Sequence, residues 1–511
     1  MSFSVEAELN RKPRAGGPCG TQPVISSAAV ERRLQDAGLD GVWEGTPPPG
    51  FQALQIDSRR VSAGDLFCAI PGTRVDGHDF VDDAAAAGAA AAVAERAGGA
   101  GGIPRFVVSD SRIAAAHLAE LFAGDPAQHL EFTGITGTNG KTTTAYLLRH
   151  LLSALGPSAA VGTLGTIHPD GSYEPGRLTT PDAVSLSATF RRLADEGTRF
   201  VAIEISSHAL EQHRADAIPF RLAVFTNLTR DHLDYHREMG RYREAKLRLS
   251  GLLRPEGTCV VNADDPAWAG VDFGDAGVVH YGLAAFAEVR AEAVRFLPGG
   301  SEWELVTPAG RVNVRLPLLG SFNISNSLAA AAAAHASGLG PAAIAGGLET
   351  APQIPGRMEV IARDPMLVVR DYAHTPDALE RALSALRPSL SGRMIVVFGC
   401  GGDRDPGKRP LMGRIGVAGS DFAFITSDNP RTEDPAAIVH DTVAELTPGS
   451  WEAVVDRREA IHRALEMAGP DDGVLLAGKG HETYQEIGLE RVPFDEIEVV
   501  ARFLDSRGAP G

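Results

Sequence analysis

Gly134-Ile-Thr-Gly-Thr-Asn-Gly-Lys-Thr-Thr-Thr144 stands between an apolar run, Leu130 to Ile135, and a helix-like run, Ala145 to Leu155. A strand that breaks into a glycine-bearing turn and then a helix aims several backbone N–H groups at one anion, and the helix N-terminus adds partial positive charge. Gly137, Thr138, Asn139 and Gly140 make the turn, and Thr143 follows on the first helical turn. Lys141 can reach a terminal phosphate, and the Thr142 hydroxyl can hold Mg2+. Ile135 takes the place of the first glycine in the strict G-x-x-x-x-G-K-[ST] spacing. A chance Gly-Lys-Thr in a turn would not carry the flanking strand and helix, so the chain is expected to bind a nucleoside triphosphate.

At 511 residues the chain has room for about three domains. Its 44% hydrophobic and 22% charged content is that of an ordinary globular protein. A net charge of −17 argues against nucleic acid or an anionic membrane as the main partner. Cys19, Cys68, Cys259 and Cys400 are far apart and form no C-x-x-C pair, which favours a reducing compartment without structural zinc. Residues 1–23 read as a disordered tail rather than a signal peptide. The alanine-rich windows around Ala84–Ala94 and Leu328–Ala336 are too short to span a bilayer. A cytoplasmic protein, acting as a monomer without membrane insertion, is the expectation.

Residues 24–127 read as a small α/β domain, with short β-like runs and an alanine-rich helix after Asp76-Gly-His-Asp-Phe80. Ser58, Thr73 and Arg74 lie in turn-like stretches and could hold a ligand or be plain loop residues. A second unit, 128–353, begins with the phosphate loop. Its apolar runs Phe200–Ile205 and Arg221–Thr226 read as buried parallel strands that deliver polar residues at their carboxyl ends, where ligands sit in open α/β sheets. Glu204 lies inside such a run; burying it is costly unless it is paired or holds a metal. His232 and His236 follow the next run and could be ligands or structural residues. In the third unit, 354–511, four apolar runs end in polar loops: Asp371–His374, Gly399–Asp405, Ser427–Arg431 and Gly478–Glu482. The alternation predicts a doubly wound, mostly parallel Rossmann-like sheet with all four loops along one rim.

Thr136-Gly-Thr-Asn-Gly-Lys-Thr142, Glu204-Ile-Ser-Ser-His208, Asp231-His-Leu-Asp-Tyr-His236, Gly320-Ser-Phe-Asn-Ile-Ser-Asn326 and Gly356-Arg-Met-Glu359 together resemble the Mur ligases. These are ATP-dependent amide ligases that build the peptidoglycan stem peptide. Within the family the chain looks like the members that add the third amino acid, on Asp57-Ser-Arg59, Thr179-Thr-Pro181, Ser206, Gln212, Arg214 and Gly478-Lys-Gly-His-Glu482. The resemblance implies a small N-terminal UDP-binding domain, a central P-loop ATPase domain and a C-terminal amino-acid-binding domain. It also implies that a substrate carboxylate attacks the γ-phosphate of ATP and that an amine then displaces phosphate from the acyl phosphate. Lys141, with Mg2+ held by Thr142 and Glu204, would gather the anions, and His232 would serve a second Mg2+. Lys246 matches a lysine that carries a CO2-derived carbamate in this family, a modification that needs a neutral amine.

The same resemblance places Asn323 and Asn326 on the adenine side of ATP, with Arg357 and Asp371 on its phosphate and ribose sides. It places Ile56, Ser58, Thr73, Arg74, Val75, Thr179, Thr180, Ser206, Gln212 and Arg214 on a UDP-N-acetylmuramoyl-L-alanyl-D-glutamate substrate. Asp428-Asn-Pro-Arg431 resembles the signature of members that add meso-2,6-diaminopimelate; Arg404, Asn429, Pro430, Gly478 and Glu482 match the remaining contacts. The chemistry is direct, because diaminopimelate has a far carboxylate that an arginine fork binds and lysine lacks. A lysine-adding ligase is the near alternative, disfavoured by Arg431. A folylpolyglutamate synthetase should lack Asp57-Ser-Arg59 and the Asp428–Arg431 loop. A motor-type ATPase would want an apolar run ending in an Asp-Glu pair.

Overall fold

A computed structural model of the chain describes residues 24–72, 75–98, 102–176, 178–297 and 299–508. The expected tail at 1–23, together with Thr73 and Arg74, lies outside the described residues. The chain divides into two compact units: residues 1–127 with 182–191 and 212–217, and residues 128–181, 192–211 and 218–511.

The first unit holds a five-stranded sheet in the order Val42–Glu44, Arg105–Val107, Ala91–Ala94, Leu66–Cys68, Leu54–Gln55. Only the Val42–Glu44 edge pairs antiparallel. The alanine-rich helix expected after Phe80 is shorter than the alanine run. It ends at Ala86, the chain turns through Gly88 at φ 104°, and Ala91–Ala94 becomes a fully buried strand. Alanine's helix preference is weak beside burial on both faces of a parallel sheet. The helix Ser111–Ala123 covers this sheet; Asp110 caps it by accepting from the Arg112 and Ile113 N–H groups, and Gly124 at φ 78° ends it.

The second unit holds two large sheets. The larger has eleven strands, of which seven are parallel in the order Ser158–Gly162, Phe200–Glu204, Glu131–Thr136, Phe220–Phe225, Leu253–Asn262, Gly277–Gly282, Val289–Leu297. Antiparallel strands extend it at both edges. Register fixes the site: Ile135 pairs with Glu204 on one side and Thr136 with Phe225 on the other. The phosphate loop therefore leaves the sheet flanked by both polar-ended strands. Behind it, the helix Ser321–Ala336 packs on the helix Lys141–Leu152, and Ala329 to Ala334 are all fully buried, small side chains that permit close approach.

The smaller sheet runs Glu359–Ala362, Leu367–Asp371, Gly473–Ala477, Met394–Cys400, Phe422–Ser427, Trp451–Ala453, parallel except at its first strand. Four adjacent strands thus release the four polar loops at one rim, as the strand–loop alternation predicts. A hairpin, Tyr484–Ile487 with Glu490–Pro493, follows the last loop.

Candidate active site

The phosphate loop is built so that only glycine fits at its two bends. Gly137 has φ 148°, and a Cβ there would stand 1.8 Å from Thr226 Oγ1; Gly140 has φ 85°, and a Cβ there would stand 2.3 Å from Asn326 Oδ1. The loop is held from the neighbouring strand: Thr138 N donates to Asn227 O at 2.7 Å, Asn139 N to Asn227 Oδ1 at 2.9 Å, and Thr226 Oγ1 to Asn139 O at 2.7 Å. Lys141 folds over the loop, its Nζ donating to Gly137 O at 2.9 Å and Thr138 O at 2.8 Å. Burial lowers its pKa, against the opposing pull of Glu204, and the nearby Arg357 adds a like charge. Thr143 is buried on the first turn of the helix.

Glu204 is 1% exposed, yet its carboxylate is satisfied. Thr142 Oγ1 donates to Oε2 at 3.0 Å, Thr163 Oγ1 to Oε2 at 3.1 Å, and Thr163 N to Oε1 at 2.8 Å. Thr180 Oγ1 donates to Glu204 O at 2.9 Å and accepts from Ser206 N at 3.0 Å, while Thr163 Oγ1 lies 3.0 Å from Thr179 Oγ1. Thr179 therefore adjoins Thr163, a donor to the carboxylate, while Thr180 and Ser206 are tied to the Glu204 main chain. The Thr142 hydroxyl and the Glu204 carboxylate at the end of its strand are oxygen ligands that suit a hard cation such as Mg2+. Among the described residues no group of three or more His, Cys, Asp or Glu forms a cation cage.

Lys246 is 1% exposed on the helix Met239–Leu247. Its Nζ donates to Gly137 O at 2.7 Å and lies 4.4 Å from the centre of the Tyr242 ring. Burial, and secondarily the charge of Lys141, holds its pKa well below the ordinary lysine range. Tyr242 in turn reaches Thr138 Oγ1 at 3.2 Å, and burial pushes its phenol up to about 12. His232, at φ 52°, keeps 47% of its side chain exposed beside Asp231. Its ring lies 4.9 Å from that of His208, whereas the buried His236 bonds Ser207 Oγ at 2.9 Å. Of the two histidines open in the sequence, His236 is thus committed within the protein.

On the second sheet, Met358 N donates to Asp371 Oδ2 at 2.7 Å and the Arg357 guanidinium lies 5.0 Å from the centre of the Tyr372 ring. Burial raises the Asp371 carboxyl while Arg357 pulls it down. Asn323 and Asn326 are buried: Asn326 Nδ2 donates to Asn323 Oδ1 at 2.9 Å, and Asn323 Nδ2 to Leu319 O at 2.7 Å. Gly478 N donates to Asp371 O at 3.0 Å, joining the first and fourth loops. Asn429 Nδ2 donates to Glu482 Oε2 at 2.8 Å, joining the third and fourth. Arg431 adopts φ 51°, and its Nε donates to Glu486 Oε2 at 2.9 Å and its Nη1 to Gly402 O at 2.8 Å. Nη2 has no protein partner among the described residues. A Cβ at Gly401 would lie 3.0 Å from Arg431 Nη1 and 3.9 Å from Arg404 Cγ, and one at Gly478 2.4 Å from Asp428 Oδ2. Pro430 O lies where a Cβ of Gly402 would fall, 1.9 Å away.

The first unit carries a cleft of about 960 Å3 lined by Ile56, Ser58, Val75, Gln212 and Arg214 from the expected set. Arg59, Arg60 and Arg112 add positive charge to it, and Asp57, Asp83 and Asp182 negative. Arg214 Nη2 donates to Gln212 Oε1 at 2.6 Å, and the Arg59 guanidinium holds the Asp57 carboxyl below its usual range.

Several residues that shape the site had no assignment from sequence. Thr163 supplies two of the three bonds to the Glu204 carboxylate; its only signal was its place after the short strand Ser158–Gly162. Asn227 clasps the phosphate loop from the next strand, and Tyr242 links it to the Lys246 helix.

Three family models match the chain in series: "Mur ligase family, catalytic domain" over residues 51–130, "Mur ligase middle domain" over 135–334, and "Mur ligase, glutamate ligase domain" over 356–480. A protein from Geobacillus kaustophilus (strain HTA426), named UDP-N-acetylmuramoyl-L-alanyl-D-glutamate–2,6-diaminopimelate ligase, is 45% identical over 474 residues, covering 90% of this chain and 96% of its own. A protein of the same name from Geobacter sulfurreducens (strain ATCC 51573 / DSM 12127 / PCA) is 46% identical over 489 residues, covering 89% and 95%. A solved structure bearing that enzyme name is 34% identical, with a TM-score of 0.67, covering 91% of this chain and 97% of that one. With the phosphate loop and the buried Glu204 inside the matched middle domain, and relatives 45–46% identical along about nine-tenths of its length, the chain belongs to the Mur ligase family.

Proposed function

We propose that the protein is the ATP-dependent ligase that adds meso-2,6-diaminopimelate to UDP-N-acetylmuramoyl-L-alanyl-D-glutamate in peptidoglycan precursor synthesis. The observation that carries the choice of amino acid is Arg431, held at φ 51° with Nη2 free, on a rim that also presents Asn429 and Glu482. A guanidinium suits the far carboxylate of diaminopimelate and a glutamate its far ammonium group. Asp428, Pro430, Arg404 and Gly478 complete that subsite.

The D-glutamyl carboxylate attacks the γ-phosphorus of ATP, giving ADP and an acyl phosphate. The amine of diaminopimelate then attacks the acyl carbon, and phosphate leaves as the amide forms. Lys141, half-buried against the phosphate loop, supplies positive charge where the attacking carboxylate and the phosphate repel each other. The N-terminus of the helix Lys141–Leu152 adds partial positive charge beside it. Thr142 and Glu204 would hold Mg2+, which would supply further charge neutralisation. His232 and a carbamate on Lys246 would hold a second ion; burial lowers the Lys246 pKa, the direction that favours the neutral amine such a carbamate needs. Arg357, Asp371, Asn323 and Asn326 serve the nucleotide. Of the residues assigned to the UDP-muramoyl dipeptide, Ile56, Ser58, Val75, Gln212 and Arg214 line the cleft of the first unit.

We assign substrate, nucleotide and amino-acid domains to residues 24–127, 128–353 and 354–511, and place the enzyme in the cytoplasm. Among the described residues no helix is long and apolar enough to cross a membrane. The deciding experiment measures phosphate release with ATP and the UDP-muramoyl dipeptide. Release is expected to require meso-diaminopimelate and to be weak with L-lysine; equal turnover of the two would refute the assignment.

A further inference from the structure

Lys479 has no exposed surface, yet it sits in the middle of the amino-acid rim. It lies between two glycines that turn it inward. Gly478 has φ 116°, and Gly480, at φ 54°, packs so close to Tyr372 that a Cβ would lie 2.7 Å from the tyrosine Cβ. A buried ammonium group is costly unless it is paired and hydrogen-bonded. Here Nζ donates to Asn429 Oδ1 at 3.0 Å and to Glu482 Oε2 at 3.1 Å.

These two bonds determine what the rim presents. Asn429 Oδ1 also accepts from Glu486 N at 2.9 Å, so the amide oxygen takes two donors and its nitrogen must turn to Glu482. Glu482 Oε2 then accepts from both Asn429 Nδ2 and Lys479 Nζ, while Oε1 has no partner among the described residues and the side chain is 16% exposed. One carboxylate oxygen is anchored and the other is left for a ligand.

We propose that Lys479 is a positioning residue for amino-acid recognition: from below the rim it fixes the amide direction of Asn429 and anchors Glu482, so that Glu482 Oε1 meets an ammonium group of the incoming diamino acid. This rests on the assignment of Asn429 and Glu482 to that substrate. Lys479 touches no reacting atom in this account, so its loss should act on KM for the amino acid and spare the chemical step.

The test is steady-state kinetics on the full chain with ATP, the UDP-muramoyl dipeptide and meso-diaminopimelate. Lys479→Met is expected to raise KM for diaminopimelate about 10- to 100-fold, as an unpaired buried charge does, with kcat and KM for ATP within about threefold of the parent. Glu482→Gln should raise the same KM, and the double variant should be no worse than the worse single one, because both remove one linked unit. Lys479→Arg keeps the charge and should recover part of the affinity. Additive effects, or an equal rise in KM for all substrates, would overturn the proposal. So would failure of both Lys479 variants to fold, which would assign the lysine to stability. If Glu482→Gln leaves KM for diaminopimelate unchanged, the substrate assignment itself fails. If Glu482→Gln acts and Lys479→Met does not, only the role of Lys479 falls.

Discussion

Lys141 and Lys246 donate to the same acceptor, Gly137 O, at 2.9 and 2.7 Å. Two ammonium groups on one buried carbonyl repel each other, and Lys246, 1% exposed, is the one whose pKa falls well below the ordinary range. Its folded pKa lies below its unfolded value of about 10.4, so between the two the unfolded chain binds the extra proton. Stability therefore rises with pH across that window, and the burial of Lys246 is most destabilising below its folded pKa. Lys246→Met is expected to abolish turnover and yet to stabilise the protein by the order of 1 kcal/mol at neutral pH, with no gain above about pH 10. Thermal melts of both proteins from acid to alkaline pH check the sign; a destabilised methionine variant at pH 7 would contradict it.

Glu204 depends on the absence of a side chain opposite it. A Cβ on Gly162 would fall 2.0 Å from Glu204 Oε1. Gly162→Ala should push the carboxylate off its bonds with Thr142 and Thr163 and lower kcat about 10²-fold, the scale of losing one preorganised electrostatic group. Gly197, which has open space around it, is the control position, although its φ of 75° makes alanine there mildly strained. Rates measured across a Mg2+ titration distinguish the readings: a displaced metal ligand shifts the titration midpoint, whereas general loosening lowers the plateau alone.

The strand–loop–helix order around Lys141 and the four polar loops after 371, 399, 427 and 478 were legible because they follow from local pattern and from the rule that ligands gather at strand carboxyl ends. Glu204 was legible for the same reason, as a charge inside an apolar run. Thr163 was not, since a lone threonine after a five-residue strand has no local signature and matters only through its register with Glu204. The alanine run after Phe80 suggests helix because alanine's preference is local; the helix stops at Ala86 and Ala91–Ala94 is a strand because burial on both sheet faces is tertiary. Lys479 lies within Gly478-Lys-Gly-His-Glu482, but nothing in Gly-Lys-Gly says that the lysine turns inward.

Arg431 is already half engaged, with Glu486 on Nε and Gly402 O on Nη1. Arg431→Ala should raise KM for diaminopimelate by the equivalent of about 2–5 kcal/mol and leave KM for ATP unchanged. Glu486→Ala removes no proposed ligand contact, but it frees the guanidinium to move and should raise the same KM by a smaller factor. Loss of ATP affinity in either variant would argue against a separate amino-acid subsite.

Asp371 supplies the complementary test on the nucleotide side. Burial raises its carboxyl and Arg357 opposes that, so the folded state binds the proton more readily than the unfolded chain. Stability from this group then falls as pH rises through the window between the two values, and at pH 7 its ionised form is a net burden to the fold. Asp371→Asn keeps an acceptor for Met358 N, now bonded to Oδ2 at 2.7 Å, without the charge. The variant should be at least as stable as the parent at pH 7 and should raise KM for ATP about tenfold, the worth of one charged hydrogen bond to the nucleotide. A thermal shift with and without ATP separates the two effects. An apo Tm at or above the parent's, combined with a smaller ATP-induced shift, assigns Asp371 to the nucleotide; a lower apo Tm would make it a structural partner of Arg357.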